Sequence, residues 1–196
     1  MRKICLAVAC IVLSVATYSG ARAEGRVYAL RGLINVFSQG MDAMVDKCQA
    51  RGITASAHGH VEYSRLAPEA AEVANSGKGP VIIIGHSLGA DAAVYMAEEM
   101  KKLGAPVALL VLFGPTVDLS IPSNVRSVVN YYQTTSLLWR GKATGGSEFK
   151  GSIKNVNLDD AEDVTHFNIE KSERLQQQAM VQIVAATRRT RHGRMR

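Results

Sequence analysis

The run Pro80-Val81-Ile82-Ile83-Ile84-Gly85-His86-Ser87-Leu88-Gly89-Ala90 limits what this chain can fold into more than any other. Residues 81–84 are all β-branched, which suits a strand buried on both faces, where no polar alternation is needed. A helical pattern opens immediately afterwards, over residues 91–100. Between the two lies Gly-x-Ser-x-Gly, and strand, sharp turn and helix are the setting in which that motif lifts a serine hydroxyl clear of a sheet edge. Gly85 and Gly89 have a steric reason to be glycine, because the turn is tight and strand and helix pass close by. Ser87 is therefore expected at the carboxyl end of the strand, with the Leu88 amide at the helix start placed to hold an oxyanion. The bland alternative is a tight glycine turn without chemistry.

In this setting Gly85-His86-Ser87-Leu88-Gly89 resembles the nucleophile elbow of the α/β-hydrolase superfamily, in its small lipase and thioesterase-like branch. The resemblance covers nearly all of the chain after residue 23. It implies a Ser-His-Asp triad in the chain order serine, acid, histidine. A serine hydroxyl is a poor nucleophile at neutral pH and needs a base. His166 and His192 follow the elbow, and His192 lies in an arginine-rich tail where nothing would hold it. His166 falls between the last predicted strand and the last predicted helix, where the resemblance places the base. The segment Val164-Thr165-His166-Phe167-Asn168-Ile169-Glu170 also looks like the His-bearing segment of that branch.

The acid is less direct. The resemblance places it immediately after the strand that follows the elbow helix, before a proline, and here that spot is Gly114-Pro115. Asp118, in the same loop, is the expected acid, and Asp163, in the acidic loop 159–165, is the second choice. The loop after the first strand, Arg31-Gly32-Leu33, is implied to supply a second oxyanion amide, from Gly32 or Leu33. Relatives often carry His-Gly where this chain has Arg31-Gly32. His86 is read as pointing into the fold, and Asp91 as a carboxylate suited to the helix dipole.

Taken in order, strands are predicted over 26–30, 53–57, 81–84, 107–113, 125–131 and 152–158. Helices are predicted from the Ser38 cap through Cys48, over 66–74 with Pro68 in the first turn, over 91–100, and over 167–186. This alternation argues a mainly parallel sheet of about six strands flanked by helices; with the resemblance it implies a compact α/β-hydrolase fold. The loop 134–151 carries Leu137, Leu138, Trp139 and Phe149 and reads as a substrate lip or as surface packing. His58-Gly59-His60 lacks a third ligand at suitable spacing, so it reads as a loop at a strand end rather than a metal site. No metal or organic cofactor is expected, and the expected substrate is a small-molecule ester or thioester.

Composition matters mainly at the two ends. Arg2 and Lys3 precede an apolar run over 4–16, and Ala21-Arg22-Ala23 is an A-x-A cleavage signal, so residues 1–23 read as a signal peptide and the product as periplasmic or secreted. Cleavage removes Cys5 and Cys10 and leaves Cys48 without an intrachain partner. It also removes Arg2, Lys3 and Arg22, half of the formal +6 charge. Arg188, Arg189, Arg191, Arg194 and Arg196 sit in the tail 188–196, which reads as basic and disordered, and without them the domain 24–187 is slightly acidic. The high isoelectric point is thus no argument for nucleic acid. A weak envelope contact through the tail is the other use for it. The displaced acid and Arg31 keep open one alternative function, a non-catalytic binding protein on the same scaffold.

Overall fold

Six parallel strands bring the chain's unbroken apolar runs into one sheet. The computed structural model describes residues 25–33, 39–135 and 141–193. The expected leader with its cleavage point after Ala23, the Ser38 cap, and Leu137, Leu138 and Trp139 of the expected lip lie outside the described residues. In chain order the elements are β1 (Arg26–Arg31), α1 (Gln39–Gln49), β2 (Thr54–Gly59), α2 (Tyr63–Asn75), β3 (Val81–His86), α3 (Leu88–Lys102), β4 (Leu109–Phe113), β5 (Leu119–Ile121), β6 (Ser127–Tyr132), β7 (Ala143–Gly145), β8 (Ser152–Asn157) and α4 (Glu173–Gly193). The main sheet runs β2-β1-β3-β4-β6-β8, and β5 pairs with β7 in a separate two-stranded sheet.

Strand periodicity explains why the central runs are apolar throughout. Tyr28, Leu30, Val81, Ile83, Leu110 and Leu112 point to one face and pack with α2 and α3. Val27, Ala29, Ile82, Ile84, Leu109, Val111 and Phe113 point to the other and pack with α1 and α4. Both faces are covered, so both sets must be apolar. The edge strand β8 is largely polar (Ser152-Ile153-Lys154-Asn155-Val156-Asn157) and has no fully buried residue. Cys48 lies wholly buried on α1, where burial pushes its thiol up to about 11. The strand order positions the site. The chain leaves β1 through α1 on one face to reach β2, then returns through α2 on the opposite face to β3. That reversal opens a crevice at the carboxyl ends of β1 and β3, and Ser87 follows β3 directly. A parallel sheet in this order, with the strand–Ser87–helix turn at its centre, is a compact α/β-hydrolase fold.

Some elements differ from the sequence expectation. Pro68 lies in the interior of α2, not its first turn, because the helix already begins at Tyr63. Val107 pairs with Val125 as an isolated bridge before β4 and β6 begin. Helix α4 begins at Glu173 and runs to Gly193. Residues before it turn without forming a continuous helix, with the Ile169 amide on the Thr165 carbonyl (2.9 Å) and the Ser172 amide on the Asn168 carbonyl (3.0 Å). Ile169 is buried against the same core as α4, which is why helical spacing extends past the helix itself. The three-residue strands β5 and β7 fall in stretches that read as loops.

Candidate active site

The elbow is built by steric exclusion. Ser87 has φ 56° and ψ −128°, and among the described residues it is the one non-glycine at positive φ. Such a backbone costs roughly 1–3 kcal/mol and persists only where its surroundings over-determine it. Its own amide donates to the Phe113 carbonyl (3.0 Å), and its carbonyl accepts the Ala90 amide (2.8 Å). A Cβ on Gly85 would lie 2.1 Å from the Gly89 carbonyl oxygen. A Cβ on Gly89 would lie 2.1 Å from the Leu30 oxygen and 2.8 Å from the Arg31 oxygen. The two glycines thus let α3 close onto β3 and let the end of β1 lie against the start of α3. This second contact sets the backbone of Leu30 and Arg31, at the end of β1, against Gly89, the residue after Leu88. Gly32 is buried, while the Leu33 side chain is 70% exposed. The Leu88 amide is one of the first in α3, where no intrahelical acceptor exists. Arg31 does not face the crevice as a free cation: its guanidinium forks onto the Asp42 carboxylate of α1, with Nε to Oδ2 at 2.9 Å.

His166 arrives from the other end of the sheet. Its Nε2 lies 3.0 Å from Ser87 Oγ, and both residues are buried. The turn that carries it is tied at both ends: the Thr165 amide donates to Asn168 Oδ1 (2.6 Å), and Asn168 Nδ2 donates to the Asp163 carbonyl (3.1 Å). From β3, His86 Nε2 donates to the His166 carbonyl at 2.9 Å. The Phe167 ring stands edge-on to the imidazole at 5.7 Å. Burial, and then the nearby His86, hold His166 down to about 3, so at neutral pH it is the free base and can accept a proton from Ser87.

The structure brings Ser87 and His166 together and leaves the sequence-nominated acids on the surface. Asp118 is exposed at the head of β5, where its Oδ1 accepts the Lys142 amide at 2.8 Å instead of a contact with His166. Asp163 is exposed and contributes its carbonyl to the His166 turn. The place immediately after β4 does face His166, but it holds glycine: a Cβ on Gly114 would lie 3.0 Å from His166 Nδ1. The neighbouring loop is held by Asp91, which is buried on α3 and accepts the Thr116 amide (3.0 Å) and the Thr116 hydroxyl. His58 bonds Ser56 Oγ (2.7 Å) at the end of β2, and His60 opens a short turn toward α2. The acidic residue that sequence reasoning missed is Glu170. It is wholly buried, with Oε2 3.6 Å from His86 Nε2. The only local signal was its position four residues after His166; its neighbour His86 is remote in the chain.

No protein-family model and no curated protein match the sequence. Among solved structures, the fold is similar to a candidate hydrolase of the α/β superfamily from Xanthomonas campestris pv. campestris, at 18% identity over 85% of this chain and 95% of that one, with a TM-score of 0.46. It is also similar to the type II thioesterase of the yersiniabactin biosynthetic pathway, at 12% identity over 84% of this chain and 94% of that one, TM-score 0.43. A third likeness is to lipase B of Aspergillus fumigatus, at 10% identity over 74% of this chain and 47% of that one, TM-score 0.43.

Proposed function

We propose that this chain is a serine hydrolase that cleaves carboxylic esters or thioesters through an acyl-enzyme on Ser87. The observation that carries the reading is Ser87 Oγ at 3.0 Å from His166 Nε2, on a backbone held at positive φ. In this mechanism His166 Nε2 takes the hydroxyl proton as Oγ bonds to the acyl carbon. The carbonyl electron pair moves onto oxygen, where the amides of Leu88 and of Gly32 or Leu33 hold the charge. The tetrahedral centre collapses, the C–O or C–S bond breaks, and the leaving group takes the proton from His166. Water then passes a proton to the same nitrogen as its oxygen attacks the acyl carbon. A second collapse frees the carboxylic acid and returns the proton to Ser87 Oγ. Leu33, Val117 and Phe167 are exposed on the loops after β1, β4 and β8, and they support an apolar acyl group as the part bound near the nucleophile.

Labelling with a fluorophosphonate, followed by mass mapping, tests the nucleophile. The label is expected on Ser87, and Ser87→Ala is expected to lose both label and ester hydrolysis. Folded protein that takes no label at pH 8 would overturn the reading in favour of a binding protein on this scaffold. The two acids named from the sequence are tested by Asp118→Asn and Asp163→Asn on short-chain esters and thioesters. Because Asp118 is exposed and already bonded to Lys142, its replacement is expected to cost within about threefold, whereas a triad acid costs about 10⁴-fold. The leader extends the proposal to an exported enzyme whose mature chain starts at Glu24, which amino-terminal sequencing of protein recovered from the periplasm or medium tests.

A further inference from the structure

Behind His166 lies a buried polar pair that the mechanism above leaves unused. Glu170 is fully buried, and neither carboxylate oxygen completes a hydrogen bond of normal geometry among the described residues. A group so placed is costly unless it has work to do. Its surroundings come from several elements. From β3, His86 Nε2 lies 3.6 Å from Oε2; on its own segment, Lys171 Nζ lies 3.9 Å from Oε1. From α1, Gly40 packs so closely that a Cβ there would stand 2.7 Å from Glu170 Cγ, and the Gly40 amide and the helix start turn positive partial charge toward the carboxylate. From α4 comes the neutral Gln176, whose Nε2 donates to the Glu170 carbonyl at 2.6 Å. His86 is the link to the site: the nitrogen that faces Glu170 also donates to the His166 carbonyl at 2.9 Å, and the two imidazoles lie 5.1 Å apart.

The geometry points to Glu170 as a positioning residue for the reaction, acting on His166 through His86: the pair fixes the backbone of the base and puts a negative charge one side chain behind it. The assignment rests on the Ser87–His166 reading. His166 must become an imidazolium as Ser87 gives up its proton, and burial opposes that charge. A carboxylate near by offsets the opposition, which is the task a triad acid performs where one is present. Here the place after β4 beside His166 Nδ1 is glycine. Burial raises Glu170 from 4.5 to about 7, so its charge switches on across neutral pH.

The test is the second-order rate of Ser87 labelling by a fluorophosphonate between pH 5.5 and 9, in wild type and E170Q. The wild-type rate is expected to rise through a step near pH 7. E170Q is expected to match wild type at pH 5.5, to lack the step, and to be about tenfold slower at pH 8, the effect of removing one nearby charge. A merely structural role would scale the rate at every pH and keep the step; an E170Q profile that keeps the step overturns the assignment. Should E170Q fail to fold, wild type alone decides. The His166 ring signals in ¹H–¹³C spectra, identified by their loss in H166A, are expected to shift near pH 7 although His166 itself stays neutral there. Signals that do not move in that window overturn the assignment. Wild type that is never labelled overturns the serine-hydrolase reading instead, while the ring titration still reports the Glu170 coupling, so the two failures are distinct.

Discussion

Ser87 and His166 meet at 3.0 Å, but two very different regions hold them there. Ser87 belongs to one contiguous stretch, 81–91, whose shape is set by backbone packed on backbone at Gly85 and Gly89. Nothing in that packing titrates. His166 is held by groups gathered from β3, α1, α4 and its own turn, and two of them, His86 and Glu170, are buried and ionisable. The lesson is a division of labour. Steric placement of the serine should be indifferent to pH, whereas His166 is kept in place by a cluster in which one group, Glu170, changes charge near neutrality. The comparison can be broken first on the steric side. Gly85→Ala and Gly89→Ala each put a methyl 2.1 Å from a carbonyl oxygen that belongs to the main chain and cannot swing away. Each is expected to cost about 4 kcal/mol or more, a large share of a domain's stability. Denaturant unfolding should show that loss unchanged between pH 5 and pH 8.

The His166 side is expected to give a smaller effect with the opposite pH behaviour. Glu170 is raised from 4.5 to about 7 in the fold, so the folded state holds its proton more tightly than the unfolded chain. Its contribution is therefore whole below about pH 4.5 and is lost as pH rises through about 7. Above that, the buried carboxylate costs about 3 kcal/mol relative to a neutral group, at 1.36 kcal/mol per pH unit. E170Q should match wild type in stability at pH 5 and exceed it by about 2–3 kcal/mol at pH 8, read as a gap in melting temperature that widens with pH. His86 and His166, lowered from 6.5 to about 4 and about 3, run the other way: their contribution is present above 6.5 and lost as pH falls through those values. They are common to both proteins and cancel in the difference. A constant gap would mean that Glu170 does not titrate in the fold.

The same division explains what was legible in the sequence. The elbow could be read because all of its determinants are neighbours: β-branched residues for a doubly buried strand, then two glycines where Cβ atoms cannot fit. His166 could be placed by chain order relative to the last strand and helix. The Glu170–His86 contact could not be read, because it joins residues at 170 and 86 that look unremarkable separately, one an ordinary acid near a helix start and the other a motif neighbour. Asp118 was nominated because it lies on the correct edge, but edge does not fix direction, and its carboxylate is spent on the Lys142 amide of the small sheet. That small sheet escaped notice for a related reason. Three-residue strands carry no periodicity, and their loop is instead clamped by Asn130, whose Nδ2 donates to the Gly141 carbonyl and to Asn155 Oδ1, both at 2.9 Å.

The finest comparison lies within the elbow itself, between the strain at Ser87 and the hydroxyl that the strain presents. Ser87→Gly removes both, and Ser87→Ala removes only the hydroxyl, because alanine keeps the Cβ that makes φ 56° unfavourable. Relief of the backbone is worth about 1–2 kcal/mol, and the greater freedom of glycine in the unfolded chain takes back about 0.5 kcal/mol. Ser87→Gly is therefore expected to melt roughly 2–4 °C above wild type, and Ser87→Ala close to it, while neither is labelled. Equal stabilisation in both variants would locate the cost in burying the hydroxyl beside His166 rather than in the turn. The elbow would then resemble the His166 side after all, paid for by polar burial instead of shape. A rise confined to glycine would mean that the fold stores its strain at the one atom where the proposed chemistry begins.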